Sequence, residues 1–151
     1  MVAVRQPLVE VGRRGQLVEM AQLEHVNPPG MHRNPAFSQA VVATGMARTI
    51  FIGGQNAVDG SGAIVGGDDI EAQAAQVARN FRRVLAAVGV TVDDVVRWNV
   101  HVVTGRPLRS AMQAFLGELG MPASPPTVTV LQVAGLAHPE FLLEVDAIAV
   151  Q

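Results

Sequence analysis

Residues 124–150 read SPPTVTVLQVAGLAHPEFLLEVDAIAV, and their pattern decides the fold. Two runs of β-branched and aliphatic residues, Thr127–Val133 and 141–150, flank a turn at 134–140 that holds Gly135, His138 and Pro139. Runs of this composition bounded by turn residues predict strand, loop, strand. In the second run Phe141, Leu143, Val145, Ala147 and Ala149 share one face. Leu142, Glu144, Asp146, Ile148 and Val150 share the other, because side chains alternate with period two. Two carboxylates therefore leave an otherwise apolar strand on the same side. Buried carboxylates need partners, so this face is expected to border a pocket, a polar network or a subunit interface.

Working back along the chain, residues 95–104 predict another strand. Val96, Trp98, Val100 and Val102 take one face, while Arg97, Asn99 and His101 share the other, between Val95 and Val103. Polar side chains in alternate positions of an interior-looking strand either pair at a subunit seam or line a cavity. A helix is predicted on each side of it in sequence. Residues 68–89 carry the helical period through Ala74, Val77, Ala78, Phe81, Val84, Leu85 and Val88. Asp68 with Glu71 reads as a capping-box start and Gly89 as the stop. Residues 107–119 repeat the period through Leu108, Ala111, Met112, Phe115 and Leu119, with Pro107 in the first turn. Arg79, Arg82 and Arg83 fall off the first stripe and read as a solvated face.

The N-terminal half is less regular. Residues 17–26 alternate as a first strand, and 27–35, NPPGMHRNP, hold too many prolines for a helix or central strand. Residues 37–44 and Thr49–Gln55 predict two strands paired as a hairpin around 45–48. Residues 1–16 show no sustained period and read as an extension, with a short strand at 8–11, ahead of a single domain at 17–151. The glycine-rich stretch 53–69 invites a dinucleotide-binding reading. Asp68 and Asp69, however, sit at the helix start where a pyrophosphate would lie, and no Lys follows the glycines. It reads as a solvated turn.

Hydrophobic residues make up 49% and charged residues 16% of the chain, against about a quarter charged in a typical domain. So few charges leave apolar surface on a monomer, and self-association is the simplest remedy. The net charge of −2 weighs against nucleic-acid binding. No apolar run reaches the length of a membrane helix and no secretory segment is seen, so no membrane partner is expected. The lack of cysteine excludes disulfides and a thiolate nucleophile and fits a cytoplasmic protein. His25, His32 and His138 have no metal-ligand spacing, and Ser38, Ser61, Ser110 and Ser124 lack a nucleophile-elbow context. Neither metal nor cofactor is expected.

EVDAIAV at 144–150, FSQAV at 37–41, IGGQ at 52–55, the helix carrying Gln73 and Asn80, and DDVVRW at 93–98 have a shared meaning. Together, over residues 27–150, they resemble the RidA/YjgF family (Rid proteins), also labelled L-PSP endoribonucleases. The resemblance implies an α+β, chorismate-mutase-like fold: a mixed six-stranded sheet with two helices on one face. It further implies a homotrimeric barrel with small-molecule clefts between subunits.

Family members of this kind hydrolyse reactive enamines and imines derived from amino acids. An arginine grips the substrate carboxylate through its planar fork, and a glutamate on the closing strand activates water. An aromatic side chain covers the ligand, beside a Ser-Gly-Gln turn. Carried over by position, Glu144 stands at the glutamate, Gly54 and Gln55 at the turn, and Phe37 at the aromatic. Gly53 replaces the serine, Met112 an asparagine and Val128 the arginine. A valine cannot pair with a carboxylate, and each lost 1.4 kcal/mol is about a factor of ten. The ligand is therefore expected to be neutral, or to be anchored by another cation: Arg33, Arg97, His101 or an N-terminal arginine of a neighbouring subunit. The leading expectation is a divergent imine or enamine hydrolase with Glu144 as its catalytic residue. A non-catalytic ligand-binding trimer is the alternative, and an endoribonuclease or translation inhibitor comes last. Glu144 as a backbone acceptor at the barrel seam, and His101 as a satisfied interior histidine, are the plain structural alternatives.

Overall fold

Local caps and turns set where the elements begin and end. The computed structural model describes residues 9–11, 17–19, 21–32, 34–45 and 48–151. Its strands are β1 (Val9–Val11), β2 (Leu17–Glu19), β3 (Gln22–Val26), β4 (Ala40–Thr44), β5 (Thr49–Gln55), β6 (Val95–Val103), β7 (Thr127–Val133) and β8 (Leu143–Val150). The helices are α1 (Ile70–Val88) and α2 (Leu108–Leu119). Asp69 rather than Asp68 caps α1, accepting from the amides of Glu71 and Ala72 at 2.9 and 3.1 Å. Asp68 is instead held by Arg106, Nη2 to Oδ1 at 2.5 Å. Gly89, at φ +76°, ends the helix in the left-handed conformation that a side chain disfavours.

The main sheet has the order β5–β8–β6–β7. Strand β8 runs antiparallel to both β5 and β6, and β6 runs parallel to β7. β5 and β6 thus point the same way and are joined by α1; β6 and β7 are joined by α2. A parallel connection needs such a crossover, and both helices lie on one side of the sheet. Phe81 of α1, Trp98 of β6 and Phe115 of α2 meet there edge to face, with ring centroids 4.9 to 6.0 Å apart. Val100, Val102, Leu143, Val145, Ala147 and Ala149 complete the same core. Buried Gln73 staples α1 to the loop before β8. Its Nε2 donates to the carbonyls of Gly67 and Glu140 at 2.7 and 2.8 Å, and its Oε1 accepts from Leu142 N at 3.0 Å.

The expected α+β arrangement, two helices on one face of a mixed sheet, is the one found, but the strand partners differ in detail. β4 does not pair with β5. It pairs with β3, from Gln22↔Thr44 to Val26↔Ala40, and β5 pairs with β8. The six strands thus stand as a four-stranded sheet and a separate two-stranded ladder. Phe37 precedes β4 in an isolated bridge to Asn34 rather than lying within a strand. Residues 17–26 make two strands with different partners, since β2 pairs with β1. A composition pattern marks a strand without naming its neighbour. β8 is apolar enough to be flanked on both edges, and Ile50 and Ile52 of β5 face the core with it. Val95 is not on the polar face of β6; a register shift between Val95 and Arg97 turns it into the core. A second shift, between Ile52 and Gln55, places one extra residue of β5 beside β8, at the Gly53–Gly54 pair.

Candidate functional site

The sheet divides the expected site residues between its two faces. On the helix side lies a cavity of about 260 Å³. Phe37 from the loop before β4, Met112 and Phe115 of α2, Trp98 of β6, and Val128 and Val130 of β7 line it. Val128 looks into this space because it pairs in parallel register with Trp98, so both side chains take the helix face. Among the described residues, no charged side chain lines the cavity.

Its rim is held by residues that sequence reasoning passed over. Ser38 is 3% exposed; its amide donates to Pro126 O at 2.8 Å and its hydroxyl to Pro125 O at 2.6 Å. His25 Nδ1 also lies 2.8 Å from Pro125 O and 3.1 Å from Ser38 Oγ. A ring nitrogen that close to a carbonyl oxygen carries the proton. His25 is therefore a donor and no base for Ser38, and it sits inside β3, within the strand expected there. These bonds clasp the β3–β4 ladder to the segment before β7, across sequence separations of 87 and 100 residues. No local spacing announces them.

On the opposite face the cross-strand register sets Arg97 beside Ile148, Asn99 beside Asp146 and His101 beside Glu144. Asn99 Nδ2 donates to Asp146 Oδ1 at 2.7 Å, and Arg97 Nε to Asn99 Oδ1 at 3.1 Å. Of the outcomes expected for this face, a polar network is present within the protomer. Glu144 Oε2 accepts from Asn56 Nδ2 at 3.1 Å. His101 Nδ1 is buried without a hydrogen-bond partner among the described residues. Phe51, 78% exposed, and Leu131, 50% exposed, sit at the two margins of this face. Gln55 points elsewhere: with Gly54, Asn56, Asn80 and Arg83 it borders an open groove of about 390 Å³ between β5 and α1, and its Nε2 bonds Gly53 O at 3.0 Å.

Phe37, Met112 and Val128 thus come together, while Glu144, His101 and, farther along, Arg97 share the opposite face, with the sheet between the two sets. In one protomer neither Arg97 nor His101 reaches the space beside Val128. Arg33 lies outside the described residues. The residues read as a solvated arginine face are partly engaged, since Arg79 and Arg82 lie 3.6 and 3.3 Å from the Glu118 carboxylate of α2.

Two carboxylates, Asp59 on the groove and Asp68 ahead of α1, titrate below the usual range. The Asp59 carboxylate accepts from the Ser61 hydroxyl and from the amides of Ser61 and Ala63, which lowers its pKa and knots the glycine-rich turn. The Arg106 guanidinium, by hydrogen bond and charge, lowers that of Asp68. Among the described residues no three His, Cys, Asp or Glu side chains group as a metal site, and no helix is long and apolar enough to cross a membrane.

This geometry has relatives. No curated protein matches the sequence. Among solved structures, the Rid family protein YyfB from Yersinia pestis is 36% identical and superposes with a TM-score of 0.75, over 85% of this chain and 98% of that one. RidA from the Antarctic bacterium Psychrobacter sp. is 27% identical, with a TM-score of 0.61 over 83% and 92% of the two chains. A member of the YjgF/YER057c/UK114 family from Mycobacterium tuberculosis is 25% identical, with a TM-score of 0.57 over 76% and 86%. The family model described as Endoribonuclease L-PSP matches residues 31–151, which take in the cavity lining, Ser38 and Pro125, with His25 just ahead of it. The chain belongs to that family, the one that includes the RidA and YjgF proteins.

Proposed function

We propose that this chain is a RidA-like small-molecule protein. It works in the cytoplasm as a homotrimer with ligand clefts where protomers meet. There it hydrolyses a neutral imine or enamine rather than the usual amino-acid-derived ones. The observation that carries this reading is Val128 in a cavity that no charged side chain lines among the described residues. Such a space favours apolar ligands and penalises a carboxylate left without a partner. Exposed Phe51 and Leu131 on the open face, and the low charge of the chain, support assembly; the number three rests on the resemblance alone.

In the reaction, water adds to the C=N carbon while Glu144 takes one of its protons and passes it to the nitrogen. The resulting carbinolamine gives up its O–H proton to the nitrogen, the C–N bond breaks, and a carbonyl compound and ammonia or amine leave. A second reading, a non-catalytic ligand-binding trimer, is favoured by one observation: within a protomer the sheet separates Glu144 from the cavity, so catalysis needs a neighbour's carboxylate. The endoribonuclease reading is disfavoured by the net charge of −2 and the absence of a basic patch interleaved with aromatics.

The test is ammonia release from a panel of neutral and cyclic imines by the wild type and Glu144→Ala. Turnover that is lost in the variant supports hydrolysis. A silent panel, with neutral ligands still raising Tm, supports the binding trimer. Val128→Arg sharpens the result: it should transfer the Tm response from neutral ligands to 2-keto acids, and an unchanged preference would count against the cavity as the ligand site.

A further inference from the structure

We propose that Asn56 and Asn80 are positioning residues that hold Glu144 so that its Oε1 atom, and not Oε2, exchanges protons with water and substrate. This rests on the reading of Glu144 as the water-activating carboxylate.

A string of hydrogen bonds runs from the helix pair to the closing strand. The Asn56 side-chain amide donates both to Glu144 Oε2 at 3.1 Å and to Leu143 O at 3.3 Å. Turned over, it would set its oxygen against two acceptors, so its orientation is dictated. The Asn56 backbone carbonyl is gripped in turn by Asn80 Nδ2 at 3.0 Å, and the same amide donates to Val58 O at 2.9 Å. Asn80 Oδ1 accepts from buried Gln76 at 3.0 Å, and Gln76 Oε1 accepts from Arg79 at 2.9 and 3.0 Å. Arg79 leans on Glu118 of α2. Asn80 and Gln76 have both donor and acceptor ends engaged, and the two acceptors facing Asn56 Nδ2 fix the orientation of that amide.

The other half of the arrangement is an empty place. Gly54, next to the register shift of β5, has no side chain where one would collide with Glu144: a Cβ there would lie 2.7 Å from the carboxylate carbon. Gly54 has no positive φ, so a side chain there would displace the Glu144 carboxylate rather than strain the backbone. Oε1 rests over this bare backbone and takes no hydrogen bond among the described residues. One oxygen is tethered and the other is open. His101 faces the pair across the ladder, Asp146 lies two residues along the same face, and Arg83 borders the groove beside Asn56. In the hydrolysis above, a water proton passes to Oε1 as oxygen bonds to the imine carbon. Oε1 then returns it to the nitrogen, while the anchored Oε2 keeps the carboxylate plane from rotating out of line.

Asn56→Ala, Asn80→Ala and, should either fail to fold, Asn56→Ser and Asn80→Ser are compared with wild type in two ways. The first, the Glu144 rotamer in crystals of each variant, needs no substrate. The second is the division between kcat and KM on whichever imine the panel identifies. Loss of positioning predicts a new or split Glu144 rotamer and a fall in kcat of about a hundredfold for Asn56→Ala, with KM within about twofold. Asn80→Ala should fall less in the same direction, and Asn56→Ser should recover part of the loss. A Glu144 rotamer unchanged in both alanine variants overturns the proposal, as does a lowered Tm with kcat intact. If the wild type turns over nothing, the hydrolase reading fails while the rotamer comparison still decides the positioning.

Discussion

The two faces of β6 are built of alternate residues a few ångströms apart, yet they do different work. Trp98, Val100 and Val102 look toward the helices and are buried in a close-packed core. Arg97, Asn99 and His101 look the other way, onto a face where polar side chains bond one another and where His101 Nδ1 has no partner among the described residues. A packed apolar face resists any change of volume. A half-wet polar face tolerates substitution but is specific about which donor meets which acceptor. Close packing and polar pairing are thereby assigned to opposite sides of one strand, and among the described residues no charged side chain lines the cavity on the helix side.

The comparison can be broken most directly at the core. Phe81→Ala removes the ring that touches both Trp98 and Phe115 and should lower unfolding free energy by about 3–5 kcal/mol in urea titration. On the polar face Asp146→Ala should cost only about 1–3 kcal/mol, because it strands the Asn99 amide without opening a large void. Were the second loss to match the first, the division of labour between faces would be wrong.

Ser38→Ala tests whether the β3–β4 ladder is a separate stability unit. About 1 kcal/mol of lost hydrogen bonding should speed amide exchange at 22–44 and leave β8 unaffected. Equal acceleration in β8 would show one cooperative unit.

The smallest effect concerns pH. Arg106 lowers the Asp68 pKa, so the pair stabilises the fold above the ordinary carboxylate pKa of about 3.9 and that contribution is lost as pH falls through the lowered value. Asp68→Asn should lower Tm slightly at neutral pH, where the pair is intact, and converge with the wild type below about pH 4, which flattens the acid limb. An undiminished acid limb would place its origin elsewhere.

Much of this was legible in the chain. The alternation of β8 put Glu144 and Asp146 on one face and Leu143, Val145 and Ala147 on the other, as found. The stripe of α1 and the polar trio of β6 read as they stand. The misreadings have a common cause. The neighbour assigned to β4, the single strand drawn through 17–26 and the placement of Val95 each required knowing what lies alongside, which no period encodes. The same holds for Asn56, which meets Glu144 across 88 residues, and for Ser38 and His25, which meet Pro125.

The sequence alone determined which stretches are strands and helices, which side of each is apolar, and which family the chain resembles, since all three depend on short-range pattern and on residues in order. Only the tertiary structure decided that Val128 and Glu144, read as neighbours in a single cleft, face opposite ways from the sheet of one protomer. The reason is register. The side on which a residue emerges relative to another strand depends on how distant strands align, and a shift of one residue reverses it.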